Sequence, residues 1–516
     1  MKIKLPFTFL FVTLIVIVSC TAVKNADDAE YSNIVFIDSA DTELDIVRKA
    51  ANIRPSEKQL AWQKYELTAF FHYGVNTFTD REWGTGKEDP AIFNPSDLDV
   101  DQWVKTMKDA GFKLAILTAK HHDGFCLWPS EQTEHSIKNS PYQGGKGDLV
   151  KEFTDACEKY GMKAGIYLSP WDMNHPTYGD SPAYNEVFRR QLTELLSNYG
   201  PIDEVWFDGA NGEGPNGKTQ EYDFPSYYQL INELQPNAVI AIMGPDVRWV
   251  GTETGYGRLT EWSVVPTDGT TIDKVAAESQ SQVSFAPKKD LRGEDLGSRS
   301  VIKDANGLVW YPAETDVSIR QGWFFHEDQE PKSLEKLLDI YVSSVGRNGV
   351  LLLNVPPDKR GRIHEKDSLV LAEFGKVIKD VFSNNLIKDA EVTGDGKDFN
   401  SLLDDDFDSY WTTKSESDTT AIIEFKVDQP VEFNTVQLQE YIALGQRVES
   451  FTVEYWNDNT WEIAGEGTTI GYKRILNFDP VTSSKIRLRI TSSRLNPRLS
   501  SFGLFNMPDY KTNGSL

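Results

Sequence analysis

Cysteine is almost absent from this 516-residue chain: three in all, at 20, 126 and 157, too few for a disulfide framework to hold it together. No Lys/Arg-rich run interrupts a formal net charge of −25, so attraction to nucleic acid phosphates or an anionic lipid surface is not expected, and a neutral partner suits this chain better. Long apolar runs are missing as well, apart from the one that begins near Leu5, and that one is too short to cross a bilayer comfortably. There is no Gly-x-Ser-x-Gly elbow for a serine nucleophile and no glycine-rich loop for phosphate or dinucleotides. What is plentiful is aromatic surface. Thirteen Trp and twenty Tyr, many beside Gly, Asp or Pro, could stack on sugar rings or pack a core.

The N-terminus, "MKIKLPFTFLFVTLIVIVSC", has two lysines, an apolar stretch and a small residue before cysteine. Residues 1–19 are expected to be a signal peptide, and Ile17-Val18-Ser19-Cys20 resembles a lipobox, which implies cleavage before Cys20 and its acylation; the alternative is an ordinary secretory signal. The chain is therefore expected as an exported bacterial lipoprotein at the outer membrane surface or in the periplasm, touching membrane only through its anchor. Residues 20–45 are expected to form an exported tail and linker.

From 46 to 385 short apolar runs alternate with amphipathic segments. "ELTAFFHYG", "KLAILTAKHH", "KAGIYLSPWD", "EVWFDG", "AVIAIMGPD", "QGWFFHE" and "GVLLLNVPP" are expected as strands, with helices such as "DVDQWVKTMKDAGF" and "DLVKEFTDACEKYG" between several of them. This alternation predicts an α/β fold, a (β/α)8-type barrel, with one further strand hidden between about 255 and 320. From 386 to 516 short alternating runs without a helix predict an all-β sandwich.

Barrel chemistry sits where strands end. Those positions hold His72, the pair His121 and His122, Tyr167, Asp172 and Asp208, followed by Asp246, Arg248 and Glu253. Strand-end Asp residues also cap helices, so it is their recurrence at one end that suggests a site. The adjacent His121 and His122 could be metal ligands, a base with its partner, or a cradle for a ligand. Metal ligands on a strand favour a spacing of two, and no second cluster completes a shell. Carboxylate chemistry remains. Asp208 follows an apolar strand, shares a face with Trp206, and precedes Gly209, which suits a nucleophile for glycoside hydrolysis; a second carboxyl should lie on the next loop.

Together "FFHYGVNTFTDREWG", "AKHHDGFCLW", "GIYLSPWD", "VWFDGANGEGPNG", "GPDVRWVGTETG" and "GRNGVLLLNVPPDKRGRI" resemble glycoside hydrolase family 29, the retaining α-L-fucosidases, over residues about 60 to 365. The resemblance implies Asp208 as nucleophile. It implies a fucose site made by His72, Glu82, Trp83, His121, His122 and Tyr167, to which Trp206, Arg248 and Trp323 are added as expected contacts. The segment around "RWVG" is similar to the α-1,3/1,4-specific branch and implies Glu253 as acid/base, with Thr252 where Asn is expected; Glu261 and Glu213 compete for the role. Expected substrates are fucosylated oligosaccharides or glycoconjugates of Lewis or fucosyllactose type, the alternatives being a broader fucosidase that accepts α-1,2 links or a catalytically weak glycan-binding surface protein. No cofactor is required for this catalysis. "LLDDDFDSYWTT" resembles discoidin-like domains and family 32 carbohydrate-binding modules: its Asp run could ligate a structural calcium ion, and Trp411 is expected in the core.

Overall fold

The computed structural model describes residues 32–267 and 295–508; the signal segment, Cys20 and part of the 255–320 region lie outside the described residues. Eight parallel strands form one curved sheet: β1 Leu67–Phe71, β2 Leu114–Lys120, β3 Lys163–Leu168, β4 Glu204–Phe207, β5 Val239–Ile242, β6 Arg248–Trp249, β7 Ala313–Ser318 and β8 Gly349–Asn354. Their order is β5-β4-β3-β2-β1-β8-β7-β6. The ladders are in parallel register, with Ile116 opposite Gly165, Tyr167 opposite Trp206, and Ala313 opposite both Gly349 and Arg248. The barrel is nearly closed. Between β5 and β6 only residues 243–247 intervene, and the seam is laced by side chains from an N-terminal helix, Glu57–Gln63: Lys58 pairs with Asp246 at 2.7 Å and Gln59 Nε2 donates to the Asp246 carbonyl at 2.8 Å.

Period-two alternation sorts each strand between two cores. Phe70, Leu114, Ile116, Tyr167, Trp206, Val350 and Leu352 fill the barrel interior, closed below by Trp62. Ala69, Phe71, Ala115, Leu117, Ile166 and Leu168 face outward onto helices. One of these, α1 (Val100–Asp109), buries Val100, Trp103, Val104 and Met107 at the i, i+3, i+4, i+7 spacing and is started by Asp99, whose side chain accepts from Gln102 N.

Two expectations are corrected and one is met. "QGWFFHE" is a loop, because its aromatic side chains pack across the barrel mouth. The strand expected between about 255 and 320 is "AETDVS", Ala313–Ser318, which shows no apolar run because Glu314 and Asp316 are buried acids. The segment expected as linker already contains a strand, Ile34–Phe36, which pairs antiparallel with Gly307–Trp310 and through it with Val264–Thr267.

The C-terminal domain is an antiparallel β-sandwich of β9 Glu391–Gly394, β10 Trp411–Thr412, β11 Ala421–Glu440, β12 Val448–Asn457, β13 Thr460–Gly467, β14 Arg474–Ser493 and β15 Arg498–Phe505. Irregularities between Lys426 and Val431 bend the long β11. Trp411 is buried in the core with Ile423, Phe425, Leu488 and Phe502, its indole N–H donating to Asp395 O. Asp404 and Asp406 are exposed and accept from backbone N–H groups of their own loop.

Candidate active site

The mouth of the barrel is built from side chains at the ends of its strands. His72, just past β1, lies over Phe70 at 4.5 Å between ring centroids and is 4% exposed. Its Nδ1 meets Asn354 Oδ1 at 2.8 Å. Asn354 is oriented by its own Nδ2, which donates to Trp323 O and Ser318 Oγ, each at 2.8 Å. Nδ1 must therefore carry the hydrogen, and Nε2 is left as an acceptor. Burial presses the His72 pKa down to about 3; the bond to Asn354 works against this and His122 adds to it.

His121 and His122 leave β2 through an irregularity between Thr118 and Lys120, which turns Lys120 outward to Asp172 (3.2 Å), Tyr184 and Gln191. A turn follows, closed by Gly124 N donating to His121 O at 3.0 Å, with Gly124 at φ +81° where a side chain would be strained. Asp123 accepts from Phe125 N and Asn76 Nδ2, so it supports the bend. Both imidazoles reach the mouth. Their centroids are 4.2 Å apart, and His121 stacks on Tyr167 at 5.7 Å. Ser169 Oγ donates to Trp171 O and accepts from His122 Nδ1 at 2.7 Å, leaving His122 Nε2 bare, 3.8 Å from Asp208 Oδ2. Burial lowers the pKa of both histidines, for His121 with help from His122 and His72, for His122 against the pull of Asp208.

Asp208 stands immediately beyond β4. Tyr167 Oη donates to its Oδ2 at 3.0 Å and Ala210 N to its Oδ1 at 2.7 Å, so both carboxylate oxygens are aimed. At the adjacent Gly209 a Cβ would come within 3.2 Å of the Met243 sulfur, so its small size serves packing. Trp206 shares the inward face of β4 but lies beneath the mouth, stacked on Tyr167 at 5.3 Å with its N–H donated to Glu314 at 2.7 Å.

Glu253 occupies the loop after β6. The residue is exposed, yet its carboxyl pKa is raised: local burial outweighs a hydrogen bond from Trp323, and the negative charges of Asp208 and Glu82 add to the rise. Glu82 holds the Trp323 loop, accepting from Trp323 N at 2.8 Å and meeting His326 Nε2 at 2.5 Å. Trp83, 57% exposed, stands edge-on to His122 and Trp171. Below, Asp316 accepts from Trp249 Nε1 at 2.8 Å and burial keeps its pKa well above the usual range, as it does for Glu314 beside Glu204.

Thus His72, His121, His122, Tyr167, Asp208, Glu82, Trp83 and Trp323 gather at one mouth with Glu253 close enough to be perturbed by Asp208. Arg248 does not join them. It is buried, bonding Glu261, Trp262 O and Tyr311 O, because β6 turns its side chain toward the following segment. Glu261 is equally buried between Arg248 and Arg258, whose guanidiniums overcome burial and hold its pKa low, the wrong direction for a general acid. Glu213 lies exposed on the loop after β4. Sequence reasoning missed Asn354, Ser169 and Phe324. Asn354 alone left a signal, a polar residue ending the run "LLLN". Among the described residues no group of three or more His, Cys, Asp or Glu side chains could hold a metal ion.

A parallel barrel whose mouth sets an aimed carboxylate and a carboxyl of raised pKa among histidines and aromatic rings fits the chemistry of a glycoside hydrolase. Comparison with known proteins agrees. The Alpha-L-fucosidase family matches residues 50–381 and the F5/8 type C domain residues 387–501. Alpha-L-fucosidase 1 of Arabidopsis thaliana is 43% identical over 464 residues, covering 87% of each chain. A solved GH29 fucosidase of Ruminococcus gnavus in complex with fucose is 33% identical with a TM-score of 0.79 over 89% of this chain and 96% of that one; a Bacteroides ovatus structure is 50% identical with a TM-score of 0.83, over 94% and 80%. The chain belongs to the alpha-L-fucosidase family, with a C-terminal F5/8 type C domain.

Proposed function

We propose that this enzyme is a retaining exo-α-L-fucosidase that removes terminal α-1,3- or α-1,4-linked L-fucose from Lewis-type glycans and fucosyllactose. The observation that carries the reading is the contrast between two carboxyl groups at one mouth. Asp208 is aimed as an acceptor by Tyr167 and Ala210, whereas Glu253 holds its proton above the ordinary glutamate range. Asp208 attacks the anomeric carbon and forms a glycosyl-enzyme while Glu253 protonates the departing oxygen; Glu253 then takes a proton from water, which releases fucose with its configuration kept.

The bare Nε2 atoms of His72 and His122 accept hydrogen bonds from sugar hydroxyls, and their neutrality spares the site two positive charges where an oxocarbenium-like centre develops. Trp323 and Phe324 supply apolar surface for a 6-deoxy sugar. No cofactor takes part. The linkage preference rests on the "GPDVRWVGTETG" segment, and the lipid anchor on Cys20. We place the enzyme outside the cytoplasm on a lipid anchor; palmitate labelling lost in Cys20→Ser would support this, and unchanged labelling would refute it.

The test is hydrolysis of an aryl α-L-fucoside, 3-fucosyllactose, a 2-fucosylated oligosaccharide and a Lewis trisaccharide, with the first-formed product anomer followed by NMR. Retention is expected, with turnover among the glycans confined to 3- and 4-linked fucose. An inverted product refutes the mechanism, and equal turnover of the 2-linked glycan refutes the linkage. Asp208→Asn is expected to abolish turnover while fucose still binds.

A further inference from the structure

The loop that carries Glu253 makes few contacts at its crest. Residues 252–254 face solvent or the mouth, with Thr252 Oγ1 and Thr254 Oγ1 3.0 Å apart. Its two feet, by contrast, are pinned. Arg248 on the near side and Arg258 on the far side both bind the Glu261 carboxylate, and Arg258 Nη2 donates to Val250 O at 3.1 Å, closing the neck of the loop. Arg248, Arg258 and Glu261 are each no more than 1% exposed. Within such a buried cluster the removal of one charge strands the others, so the arrangement has little freedom to relax.

The clasp is in turn held by the sandwich. The Glu261 carbonyl accepts from Thr469 Oγ1 and Gln446 Nε2, both at 3.2 Å, and from Asn348 Nδ2 at 3.0 Å. Two residues earlier, Leu259 O accepts from Arg474 Nη1 at 2.8 Å and Thr468 Oγ1 at 3.2 Å. The Thr260 hydroxyl donates to Thr468 Oγ1 at 2.9 Å. Gln446, Thr468, Thr469 and Arg474 all belong to the C-terminal domain.

We infer that Glu261, Thr468 and Thr469 are positioning residues for the general acid: the sandwich sets where Glu253 meets the leaving oxygen without touching substrate itself. The inference rests on Glu253 as acid/base. A displacement of about 1 Å at a reacting group costs about 100-fold, and a proton donor must lie within hydrogen-bond reach of the atom it serves. Loosening the clasp should therefore harm substrates that need protonation far more than those that do not.

The experiment compares the full-length double variant Thr468→Val/Thr469→Val, and separately Glu261→Gln, with wild type and Glu253→Gln. Each is assayed on 3-fucosyllactose and on a nitrophenyl α-L-fucoside, whose leaving group departs without a proton, and thermal unfolding is recorded alongside. The double variant is expected to lose about 10- to 100-fold in kcat/KM on the glycan and less than about 3-fold on the aryl fucoside, kcat/KM reporting the first step alone, before Glu253 acts as base, with Thr468→Ser/Thr469→Ser restoring the glycan rate. Because the valines are isosteric, this arm stands even where Glu261→Gln fails to fold. Equal losses on both substrates, or no loss on either, overturn the positioning role. If Glu253→Gln shows the substrate contrast and the threonine variants do not, the clasp inference fails alone; if Glu253→Gln shows no contrast, the acid/base assignment falls first.

Discussion

Replacing Asn354 by Asp would keep the shape of the residue that orients His72 and invert one end of it. The acceptor for His72 Nδ1 survives, but the group facing Trp323 O at 2.8 Å changes from an N–H donor to an oxygen. A buried carbonyl deprived of its donor costs about 1 to 3 kcal/mol, or about 5- to 150-fold in an equilibrium constant. That strain falls on the loop whose Trp323 also hydrogen-bonds Glu253. The second effect is electrostatic. In the native enzyme His72, with its pKa near 3, is neutral at every working pH, so Nε2 can accept a hydroxyl throughout. An adjacent carboxylate raises a histidine pKa by about 1 to 3 units, which brings His72 to about 4 to 6. As pH falls through that window the variant gains a proton on Nε2 and loses its acceptor. Wild type has no such loss from His72. The expected result is weaker fucose binding by calorimetry at pH 7, about 5- to 150-fold, and a new acid limb in kcat/KM for an aryl fucoside. A variant with native affinity and an unchanged pH profile would show that His72 does not act as a neutral acceptor.

Two further outcomes follow from the same geometry. Because the Glu253 pKa is raised, activity on natural glycans should fall at the alkaline end as that proton is lost, at higher pH than an ordinary glutamate would give; Glu253→Gln should remove this limb from the residual rate, and its persistence would assign the limb elsewhere. Lys120→Met strands Asp172 in the core and should destabilise the fold by about 3 to 5 kcal/mol in urea titrations at pH 7. In the native fold Asp172 is buried, but Lys120 and backbone donors hold its pKa below the usual aspartate value, so the pair's contribution is present at neutral pH and lost as acid protonates it; the gap between variant and wild type should narrow toward low pH, and a constant gap would refute the pairing argument.

Most of the barrel was legible because β1 to β5 and β8 are buried on both faces and read as apolar runs. β7 was legible only as a hidden strand between about 255 and 320, since Glu314 and Asp316 sit inside the barrel and their tryptophan partners come from distant segments. "QGWFFHE" misled for the opposite reason: an apolar cluster looks the same whether it forms a strand or folds over a mouth. In the site, strand-end position exposed His72, His121, His122, Tyr167 and Asp208. Arg248 and Glu261 carried equally suggestive positions, but their mutual ion pair, thirteen positions apart in the chain, leaves no mark in spacing. Ser169 and Asn354 act on histidines from neighbouring strands, a relation that only the register of the sheet reveals.

The acids inside the barrel also change how the molecule presents itself as a charged body. The formal charge of −25 counts Glu314 and Asp316 as anions, although burial shifts both toward the protonated form. The folded protein should migrate in an electric field as a less acidic object than its sequence. Unfolding removes that burial and favours the ionised forms, so denaturation in a weak neutral buffer should release acid, and the apparent unfolding enthalpy should vary with the buffer's own heat of ionisation.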